Sequence, residues 1–515
     1  MNLSMLLEMA ADGAGDRVLV GPKNGGLTAA RLQRRARTAA AQFSDGNAKH
    51  VALLDVNSEA VPIALFGAAM ANLPFAPVNY RLDDDHLGEI VSRLVPAAVV
   101  AGSDAAQRIR DRDGITIIDR EVLGRDVGAD GAATTPPASD VDPDAVAVML
   151  FTSGTTGAAK AALLRHRHLV SYVIGTVEFM GAHEDEAQLV SVPPYHIAGI
   201  SAILTSIYGG RRIVYLPTFD AGSWVATAAT ERISHAMVVP TMLGRILDVI
   251  ETRDTRLPSL SHLSYGGGRM PVELIERAMD LLPHVDFVNA YGLTETSSTV
   301  AVLGPEQHRE AFASRDPAVR ARLRSVGVPL PSVEVEIRSA DGAVLPVGER
   351  GEVCVRGEQV AGEYLGRSLL TEDGWFPTRD AGYFDEGGFL YLDGRLDDVI
   401  VRGGENLSPG EIEDVLLDHE AVAAAGVVGV PDLQWGEVVA AVVVLDVDAH
   451  ASEGQLQRWV RARLRSAKAP EFIEFRDELP YNEMGKLLRR VLRDELTEAN
   501  EARQLVAIPR PGQMP

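Results

Sequence analysis

The stretch Val146-Ala-Val-Met-Leu-Phe-Thr-Ser-Gly-Thr-Thr-Gly-Ala-Ala-Lys160 joins an apolar β-type run to a loop of small residues. The loop contains two glycines and four hydroxyl residues, and Lys160 adds a positive charge after it. Such a loop can turn successive backbone N–H groups toward one anion. The spacing differs from that of a Walker P-loop, in which four residues separate the first glycine from Gly-Lys-Ser/Thr. The stretch therefore predicts a phosphate-binding loop that is not of the kinase or GTPase type.

Short apolar runs alternate with helical patterns through the first 300 or so residues. The apolar runs are Val51–Asp55, Ala97–Ala101, Val146–Phe151, Gln188–Val192, Arg212–Leu216, His235–Val239, Leu263–Tyr265 and Asp286–Asn289. Helical patterns between them include Ser223–Arg232, Met242–Glu251 and Val272–Leu282. Continuous apolar strands that alternate with helices indicate parallel sheets covered on both faces. We expect an α/β fold with two parallel-type βαβ subdomains in this part of the chain.

The pattern changes after about Val333. Gly-bounded strands at Val333–Arg338, Gly351–Arg356 and Gly388–Leu392 predict an antiparallel β subdomain. A small α+β unit follows, and we expect it to be mobile. Its expected elements are Pro409–His419, Ala424–Val430, Val438–Leu445, Ser452–Arg465 and a helix from about Lys486 to Leu496. The predicted domains are residues 1–396 and residues 397–515, with a flexible tail from about 498 and a surface loop at Asp126–Asp144.

Composition excludes several classes of protein. The 515 residues carry 49 Lys and Arg against 72 Asp and Glu, a net charge of −23, which argues against nucleic-acid binding. The one cysteine, Cys354, allows no disulfide framework and no cysteine metal cluster, and a reducing, cytoplasmic setting fits. We read no signal peptide, and we interpret Ala60–Val78 as a buried helix and strand because Pro74 and Pro77 interrupt it. We expect no transmembrane segment and at most peripheral membrane contact.

Five further motifs follow the Thr/Gly loop along the chain. They are Tyr291-Gly-Leu-Thr-Glu295, Thr378-Arg-Asp380, Gly394-Arg-Leu-Asp-Asp398, Gly403-Gly-Glu-Asn406 and Pro480-Tyr-Asn-Glu-Met-Gly-Lys486-Leu-Leu-Arg489. Each motif alone has an ordinary structural explanation, such as a helix cap or a turn. In this order they resemble the adenylate-forming superfamily of acyl- and aryl-CoA synthetases, adenylation domains and luciferases, over about residues 50 to 490. Members activate a carboxylate with ATP as an acyl-AMP and then pass it to a second nucleophile, usually the thiol of coenzyme A.

The resemblance implies a role for particular residues, with ATP, magnesium and coenzyme A as cofactors. The β- and γ-phosphates would be held by Thr152, Ser153, Gly154, Thr155, Thr156, Gly157 and Lys160. Thr294 would contact the α-phosphate and Glu295 would hold magnesium, an ion that favours carboxylate and phosphate oxygens. Tyr291 would stack on adenine, whose other face would meet backbone at Gly266–Gly268, with Gly267 and Gly268 as the predicted contacts. Asp380 and Arg395 would bind the ribose, and Lys486 would bridge the carboxylate and the α-phosphate.

The resemblance also implies an acyl site, a coenzyme A site and a hinge. His196 would gate the acyl and pantetheine sites, and Gly403, Gly404 and Trp435 would meet coenzyme A. Asp397 would be the pivot of a domain rotation. The sequence departs from the family with Ala159 and Ala161 in the phosphate loop, Arg379 in place of glycine, and little positive charge around Lys468.

The acyl pocket should be lined by small or apolar residues at Ile197–Ile200, Val238–Met242 and Ser264–Gly268. Tyr195–Ala198 contains no acid to pair with a substrate amine, so an α-amino acid is disfavoured. Asp220 lies beyond the next strand and is not taken for such an acid. Two interpretations of Arg269 stay open: it binds the second carboxylate of a dicarboxylic acid, or it lies on the rim.

Three functions remain. The first is a carboxylate–CoA ligase for a fatty or other apolar acid, with a small-molecule substrate and no nucleic acid partner. The second is an acyl-AMP ligase that loads a separate carrier protein. The third is a catalytically inactive binding homologue, which is disfavoured because Lys486, Glu295, Asp380 and Arg395 are all present. The sequence leaves a homodimer open.

Overall fold

A computed structural model describes residues 1–44, 47–125, 141–152, 159–432, 434–481 and 487–507. The chain divides into two compact units. The first unit comprises Met1–Gly266, Val272–Val335 and Val355–Phe376, and the second comprises Gly267–Pro271, Glu336–Cys354 and Pro377–Pro515. The predicted domain boundary after residue 396 therefore lies inside the second compact unit. That residues 397–515 move as a separate domain stays a prediction.

The described helices of the first unit include those predicted within Ala60–Val78 and at Ser223–Arg232, Met242–Glu251 and Val272–Leu282, together with others that the sequence analysis did not name. They are α1 Leu3–Ala14, α2 Ala29–Ser44, α3 Ala60–Met70, α4 Asp84–Ser92, α5 Ser103–Gln107, α6 His166–Thr176, α7 Ile197–Gly209, α8 Ala221–Thr230, α9 Pro240–Arg253, α10 Val272–Leu281, α11 Pro305–Ala313 and α12 Pro317–Arg320. The side chains of α3 are almost all buried, and the strand β4 (Phe75–Pro77) follows it. This arrangement confirms the interpretation of Ala60–Val78 as a buried helix and strand. Among the described residues, no helix is both long and apolar enough to cross a membrane.

One sheet of the first unit carries the Thr/Gly loop. Its strands in spatial order are β19 Arg367–Ser368, β18 Glu363–Tyr364, β8 Lys160–Arg165, β7 Val146–Thr152, β4, β3 His50–Leu54, β5 Ala97–Ala101 and β6 Ile115–Asp119. The strands from β7 to β6 are parallel, as predicted from their continuous apolar runs. The strand after the loop, β8, returns antiparallel to β7. The loop therefore closes a hairpin.

The other sheet of the first unit carries the Tyr291–Glu295 motif. Its strands in spatial order are β15 Val328–Pro329, β14 Ser298–Leu303, β13 Asp286–Leu293, β12 His262–Gly266, β11 His235–Val238, β9 Ala187–Val190, β10 Arg212–Tyr215, β1 Val18–Val20 and β2 Leu27–Thr28. The strands from β10 to β13 are parallel, and β14 is antiparallel to β13. The predicted α/β class with parallel sheets is confirmed.

The remaining strands form two antiparallel sheets, with β26 joining the second of them in parallel. The first sheet has the order β16 Glu334–Arg338, β17 Gly351–Arg356, β20 Phe376–Phe384 and β21 Leu390–Arg395. The second has the order β23 Glu405–Leu407, β22 Ile400–Arg402, β25 Gly436–Leu445 and β24 Val422–Asp432, and β26 Phe472–Phe475 pairs with β25. The helices that accompany them are α13 Pro409–Leu417, α14 Glu453–Arg463 and α15 Arg489–Ala507. Helix α15 continues past residue 498, where the sequence suggested that a tail begins.

A very close backbone approach shapes the hairpin of β13 and β14. A Cβ atom added at Gly292 would lie 1.8 Å from the carbonyl oxygen of Ser298. The pairing register shifts between Tyr291 and Gly292, so the two strands come together closely where the motif ends. Only glycine allows backbone to approach backbone in this way. Gly292 therefore fixes the position of the Thr294–Thr296 turn that follows.

We expect Gly292→Ala to destabilise the first unit by at least the ~1–3 kcal/mol that overpacking costs. Gly244→Ala is the matched control, because Gly244 lies in α9 and its added methyl group would meet nothing closer than Leu274 Cδ1 at 3.8 Å. The control should stabilise the helix by ~0.5–1 kcal/mol. Urea unfolding followed by tryptophan fluorescence measures both effects. Equal midpoints for the two variants would contradict the packing argument.

Candidate active site

The ends of the Thr/Gly loop are held by the hairpin of β7 and β8. Thr152 and Lys160 are direct partners in the antiparallel register, and the Thr152 hydroxyl donates to the Lys160 carbonyl at 3.4 Å. Ser153, Gly154, Thr155, Thr156 and Gly157 lie outside the described residues. The exposed Lys160 lines a cavity of about 450 Å³ together with Arg93, Tyr364 and Arg367. Cationic side chains thus line a cavity where the predicted phosphate loop ends.

Thr294 and Glu295 lie on a short 3₁₀ turn, Thr294–Thr296, between β13 and β14. The backbone carbonyl of Glu295 accepts hydrogen bonds from the N–H groups of Ala361, at 2.8 Å, and Gly362, at 3.0 Å. The Glu295 carboxylate accepts a hydrogen bond from the Tyr364 hydroxyl. Glu295 is half-buried, and the hydrogen bond from Tyr364 restrains its carboxylate at the end of the β13–β14 hairpin.

Gln359 and Tyr364 are functional candidates that sequence reasoning missed. The amide of the fully buried Gln359 donates to the carbonyls of Thr296, at 3.1 Å, and Thr299, at 2.8 Å. Tyr364 pairs with Ala162 of β8. The only local signal was the Gly-rich spacing of Gly357, Gly362 and Gly366, which indicates turns and carries no chemistry of its own.

His196 is the residue before α7 and lies in a group of aromatic rings. Its ring centroid lies 4.8 Å from that of Tyr195, and Tyr195 in turn meets Tyr80 edge-on at 5.8 Å. Burial lowers the pKa of His196 to about 4. The imidazole is therefore neutral at neutral pH, and it can donate or accept a hydrogen bond without adding charge.

The predicted acyl-pocket segments are largely apolar and buried, with one polar addition. Ile200, Val238 and Met242 are all buried. The hydroxyls of Ser201, which follows Ile200 in α7, and Ser298, at the start of β14, lie 3.3 Å apart. Ser298 has a φ of 113°, an unusual value for a residue with a side chain. Asp220, which the sequence argument set aside as an amine ligand, caps α8 by accepting from Ser223 N–H at 2.8 Å.

In the second unit, Asp380 and Arg395, the two residues predicted to bind ribose, form an ion pair with each other. Arg395 Nε lies 3.1 Å from Asp380 Oδ1, and the Arg395 guanidinium also donates to the carbonyl of Thr378 at 2.8 Å. The Thr378 hydroxyl accepts from Asp380 N–H and donates to the Val353 carbonyl. This network holds the Asp380 carboxylate, which is buried, in one orientation.

Arg379 replaces the glycine that is common before the ribose aspartate, and its backbone has the glycine conformation. Its φ is +65°, in the left-handed region. Its N–H donates to Glu352 at 3.0 Å, and its guanidinium lies 2.5 Å from Asp397. Arg379 thus links the motif that is predicted to bind ribose to the predicted hinge residue Asp397.

The residues next to Asp397 also have ionic partners. Asp398 lies 3.5 Å from Arg489, and Arg489 also binds both carboxylate oxygens of Glu413. Arg489 is partly buried; desolvation acts to lower its pKa, but the adjacent Glu413 and Asp398 carboxylates outweigh it and raise the pKa. Ion pairs therefore hold the segment Arg395–Asp398 to β20 on one side and to α15 on the other.

Gly403 and Trp435, both predicted to meet coenzyme A, contact each other. Gly403 has a φ of +58°, and a Cβ atom there would lie 3.0 Å from the Trp435 ring. Gly403 N–H donates to the Trp435 carbonyl at 2.7 Å, and the Arg402 guanidinium lies over the indole at 5.6 Å. Gly404 has a φ of +85° with open space around it. The exposed indole leaves this face accessible to a ligand.

Gly267, Gly268 and Arg269 belong to the short segment Gly267–Pro271 of the second unit. Gly267 has a φ of +76°. The guanidinium of Arg269 forms an ion pair with Asp414 of α13 and packs on Gly410. Arg269 thus already has a carboxylate partner from the chain itself.

Glu295 and Lys486 are the residues predicted to hold magnesium and to bridge the carboxylate and the α-phosphate. Within the described ranges, no group of three or more His, Cys, Asp or Glu could hold a metal ion. A lone Glu295 suits magnesium, because that ion takes only one or two carboxylates and completes its shell with phosphate oxygens and water. Lys486 lies outside the described residues, and its role stays a prediction. Cys354 is buried in β17, as expected of a small apolar residue.

The strain at Arg379 can be isolated by comparing two variants. Arg379→Gly and Arg379→Ala both remove the ion pair with Asp397, and only glycine relieves the left-handed backbone. We expect the glycine variant to be more stable by ~1 kcal/mol, which is the left-handed cost less the greater entropy of unfolded glycine. Urea unfolding of the two variants measures the difference. An alanine variant as stable as the glycine variant would show that residue 379 carries no backbone strain.

Comparison with known proteins places this geometry in a family. The sequence model of the AMP-binding enzyme family matches residues 7–365, and that of the AMP-binding enzyme C-terminal domain matches residues 411–486. A feruloyl-CoA synthase from Amycolatopsis sp is 32% identical over 474 residues, which cover 90% of this chain and 92% of that protein. A fatty acid–[acyl-carrier-protein] ligase from Streptomyces coeruleorubidus is 33% identical over 459 residues, 86% of each chain.

The structural comparison agrees. The o-succinylbenzoate coenzyme A synthetase from Bacillus subtilis, solved in complex with ATP and magnesium ion, superposes with a TM-score of 0.80 at 28% identity and covers 95% of this chain and 99% of that chain. The two family matches, the relatives and the fold lead to one conclusion. The chain belongs to the AMP-binding enzyme family, in the adenylate-forming superfamily of acyl- and aryl-CoA ligases.

Proposed function

We propose that this ligase activates an apolar monocarboxylic acid as its acyl-AMP and then transfers the acyl group to coenzyme A. The observation that carries the proposal is the fixed placement of Glu295. Hydrogen bonds from Ala361, Gly362 and Tyr364 hold its turn, and Tyr364 also pairs with β8, the strand that begins at Lys160. The carboxylate of Glu295, which would hold magnesium, and Lys160, at one end of the phosphate loop, are thus connected through Tyr364 and β8. The Bacillus subtilis relative that was solved with ATP and magnesium ion supports the same assignment.

The first half-reaction brings together two anions, the carboxylate and the α-phosphate. A carboxylate oxygen attacks the α-phosphorus, and the bond to pyrophosphate breaks as the acyl-AMP forms. Catalysis therefore consists mainly of positioning and of neutralising charge. In this chain Lys160, Thr294 and Lys486 supply donors and charge around the phosphates, while Asp380 and Arg395 hold the ribose. Magnesium, held by Glu295, would neutralise phosphate charge.

The second half-reaction transfers the acyl group. The thiol sulfur of coenzyme A attacks the acyl carbon, and AMP leaves. Gly403, Gly404 and Trp435 would flank the pantetheine arm, and the neutral His196 would separate the acyl and pantetheine sites. We further propose that the C-terminal domain, residues 397–515, rotates about Asp397 between the two steps. The ion pairs of Asp397 and Asp398 would then have to reorganise during that rotation.

The proposed substrate class follows from the polar groups of the acyl-pocket segments. Tyr195–Ala198 offers no carboxylate for a substrate amine, and Asp220 is engaged in capping α8. Arg269 is paired with Asp414, so a second substrate carboxylate would have to displace that partner. The buried apolar residues Ile200, Val238 and Met242 suit a hydrocarbon or aromatic tail, at about 0.8 kcal/mol per buried methylene.

A carrier protein is the second candidate for the acceptor. The Streptomyces coeruleorubidus relative is named as a ligase for an acyl-carrier protein. The face formed by Gly403, Gly404 and Trp435 fits the pantetheine arm, which coenzyme A and a loaded carrier protein share. The two acceptors differ only beyond that arm. A thioester assay with free coenzyme A therefore separates them.

A panel of acids tests the proposed function. Short, medium and long fatty acids, aryl acids and dicarboxylic acids are each supplied with ATP, magnesium and coenzyme A, and release of AMP and pyrophosphate is measured. We expect thioester formation from apolar monocarboxylic acids. Pyrophosphate release without thioester would favour a carrier protein as acceptor. Preference for a dicarboxylic acid would contradict the proposed substrate class, and no acid-dependent pyrophosphate release with any acid would contradict the function.

Lys486→Ala tests the charge between the two anions. Loss of a preorganised charge contact costs about 10²–10³ in rate, so acyl-AMP formation should fall by about that factor while ATP still binds. Thioester formation from supplied acyl-AMP should survive, because the second step does not need a charge between the carboxylate and ATP. Separate assays of the two half-reactions measure this. Equal losses in both steps would mean that the substitution acts through folding.

A further inference from the structure

The segment Gln359–Leu365, which we call the clasp, joins two elements of the first unit that are far apart in sequence. On one side it holds the turn after β13. Ala361 and Gly362 N–H groups donate to the Glu295 carbonyl, and the Gln359 amide donates to the carbonyls of Thr296 and Thr299. Gln359 and Thr296 are fully buried, so loss of these bonds would leave unsatisfied polar groups.

On its other side the clasp extends the sheet that carries the phosphate loop. Tyr364 pairs with Ala162 of β8, and Leu365 N–H donates to the Ala161 carbonyl at 2.9 Å. Glu363 forms a two-point ion pair with Arg165 at the end of the same strand, at 3.0 and 2.8 Å. The clasp therefore sets the register between Glu295 and the strand that begins at Lys160.

The side chain of Tyr364 occupies the point where these two elements meet. Its hydroxyl donates to Glu295 Oε1, and its body lines the cavity that Lys160 also lines. Among the described residues, the other carboxylate oxygen of Glu295, Oε2, accepts no hydrogen bond. A phenol bonded to one oxygen fixes the rotation of a carboxylate and leaves the second oxygen for another partner.

We propose that Tyr364 is a positioning residue that orients the Glu295 carboxylate toward magnesium. This inference rests on the proposed function, in which Glu295 holds the metal. In this role Tyr364 acts through Glu295, to which its hydroxyl group donates. Partners that orient a metal-binding side chain typically contribute about 10–100-fold to metal affinity or activity. The loss of one hydroxyl group should therefore change the dependence on magnesium.

The test uses Tyr364→Phe, which removes only the hydroxyl group. ATP binding is measured by calorimetry with and without magnesium chloride, and no acid is present, so no turnover occurs. The wild type should bind ATP more tightly with magnesium, and the variant should lose most of that gain while its binding of ATP alone is unchanged. In steady-state assays of acid-dependent pyrophosphate release, the magnesium concentration that gives the half-maximal rate should be about tenfold higher, or more, for the variant than for the wild type. The kcat at saturating magnesium should change little.

Tyr391→Phe is the matched control. The Tyr391 hydroxyl also donates to a carboxylate, Asp385, at 3.3 Å, but it lies on β21 of the second unit. The control should show the wild-type response to magnesium. A similar shift in both variants would mean that the effect is not specific to Glu295 and would overturn the proposal.

A double-mutant cycle with Glu295→Gln shows whether Tyr364 acts through Glu295. Residues that act as a unit have non-additive effects, so the double variant should bind ATP and magnesium no more weakly than Glu295→Gln alone. Additive losses would overturn the proposal, as would tighter magnesium binding by Tyr364→Phe, which would make the phenol a competitor of the metal. A wild type that releases no pyrophosphate with any acid contradicts the proposed function instead. The ATP titration still tests Tyr364 in that case.

Discussion

The carbonyl group of Glu295 is the point on which the candidate nucleotide site of the first unit depends. It accepts backbone hydrogen bonds from Ala361 and Gly362, and the carboxylate of the same residue accepts one from the Tyr364 hydroxyl. Together these bonds limit the orientations that the Glu295 carboxylate can adopt. The close contact of Gly292 with Ser298 sets where the turn begins, and Gln359 satisfies the carbonyls where it ends. Backbone contacts thus determine the position of the Glu295 turn, and with it the position of the Glu295 carboxylate.

Charge imposes a second constraint. The protein has a net charge of −23, and its ligand ATP is itself a polyanion. In the second unit, arginines are committed to carboxylates: Arg395 to Asp380, Arg379 to Asp397 and Arg489 to Glu413. These pairs give rigidity and little net attraction for phosphate. Attraction must then come from groups outside these pairs: backbone N–H groups, lysines, and the Arg93 and Arg367 side chains that line the cavity beside Lys160. A lysine is a compact charge that can follow a moving phosphate, whereas a paired arginine keeps a fixed geometry.

The sequence allowed the α/β class, several of the strands and helices and the family to be predicted, because apolar runs and motifs are local signals. The roles assigned to the site residues stay predictions. Apolar runs identify parallel strands, and the motifs in order identify a family. The partners of those residues could not be predicted. Arg269 and Asp414 are 145 positions apart, and no pattern in the sequence pairs them. Tyr364 was missed because a tyrosine between glycines has no chemical signature until the fold brings it to Glu295. Strand β8 was missed because Lys160–Arg165 begins and ends with a charged residue and directly follows the Thr/Gly loop. By contrast, Arg379 was noted as a departure from glycine, and its left-handed backbone explains why glycine is common there.

The two glycines of the Gly403–Gly404 motif are required for different reasons, a positive φ angle at both and a lack of space for a Cβ atom at Gly403. Gly403 needs to be glycine because its φ is positive and because Trp435 occupies the space of a Cβ atom. Gly404 has a positive φ too, but the space around it is open. The packing of Trp435 on Gly403 holds the indole in place, with the Arg402 guanidinium over its ring. A pantetheine arm that passes along this face would then meet the backbone at Gly404 and the fixed indole at Trp435. In the proposed acceptor site, recognition would therefore rest on Gly404 and Trp435, and Gly403 would hold Trp435 in place.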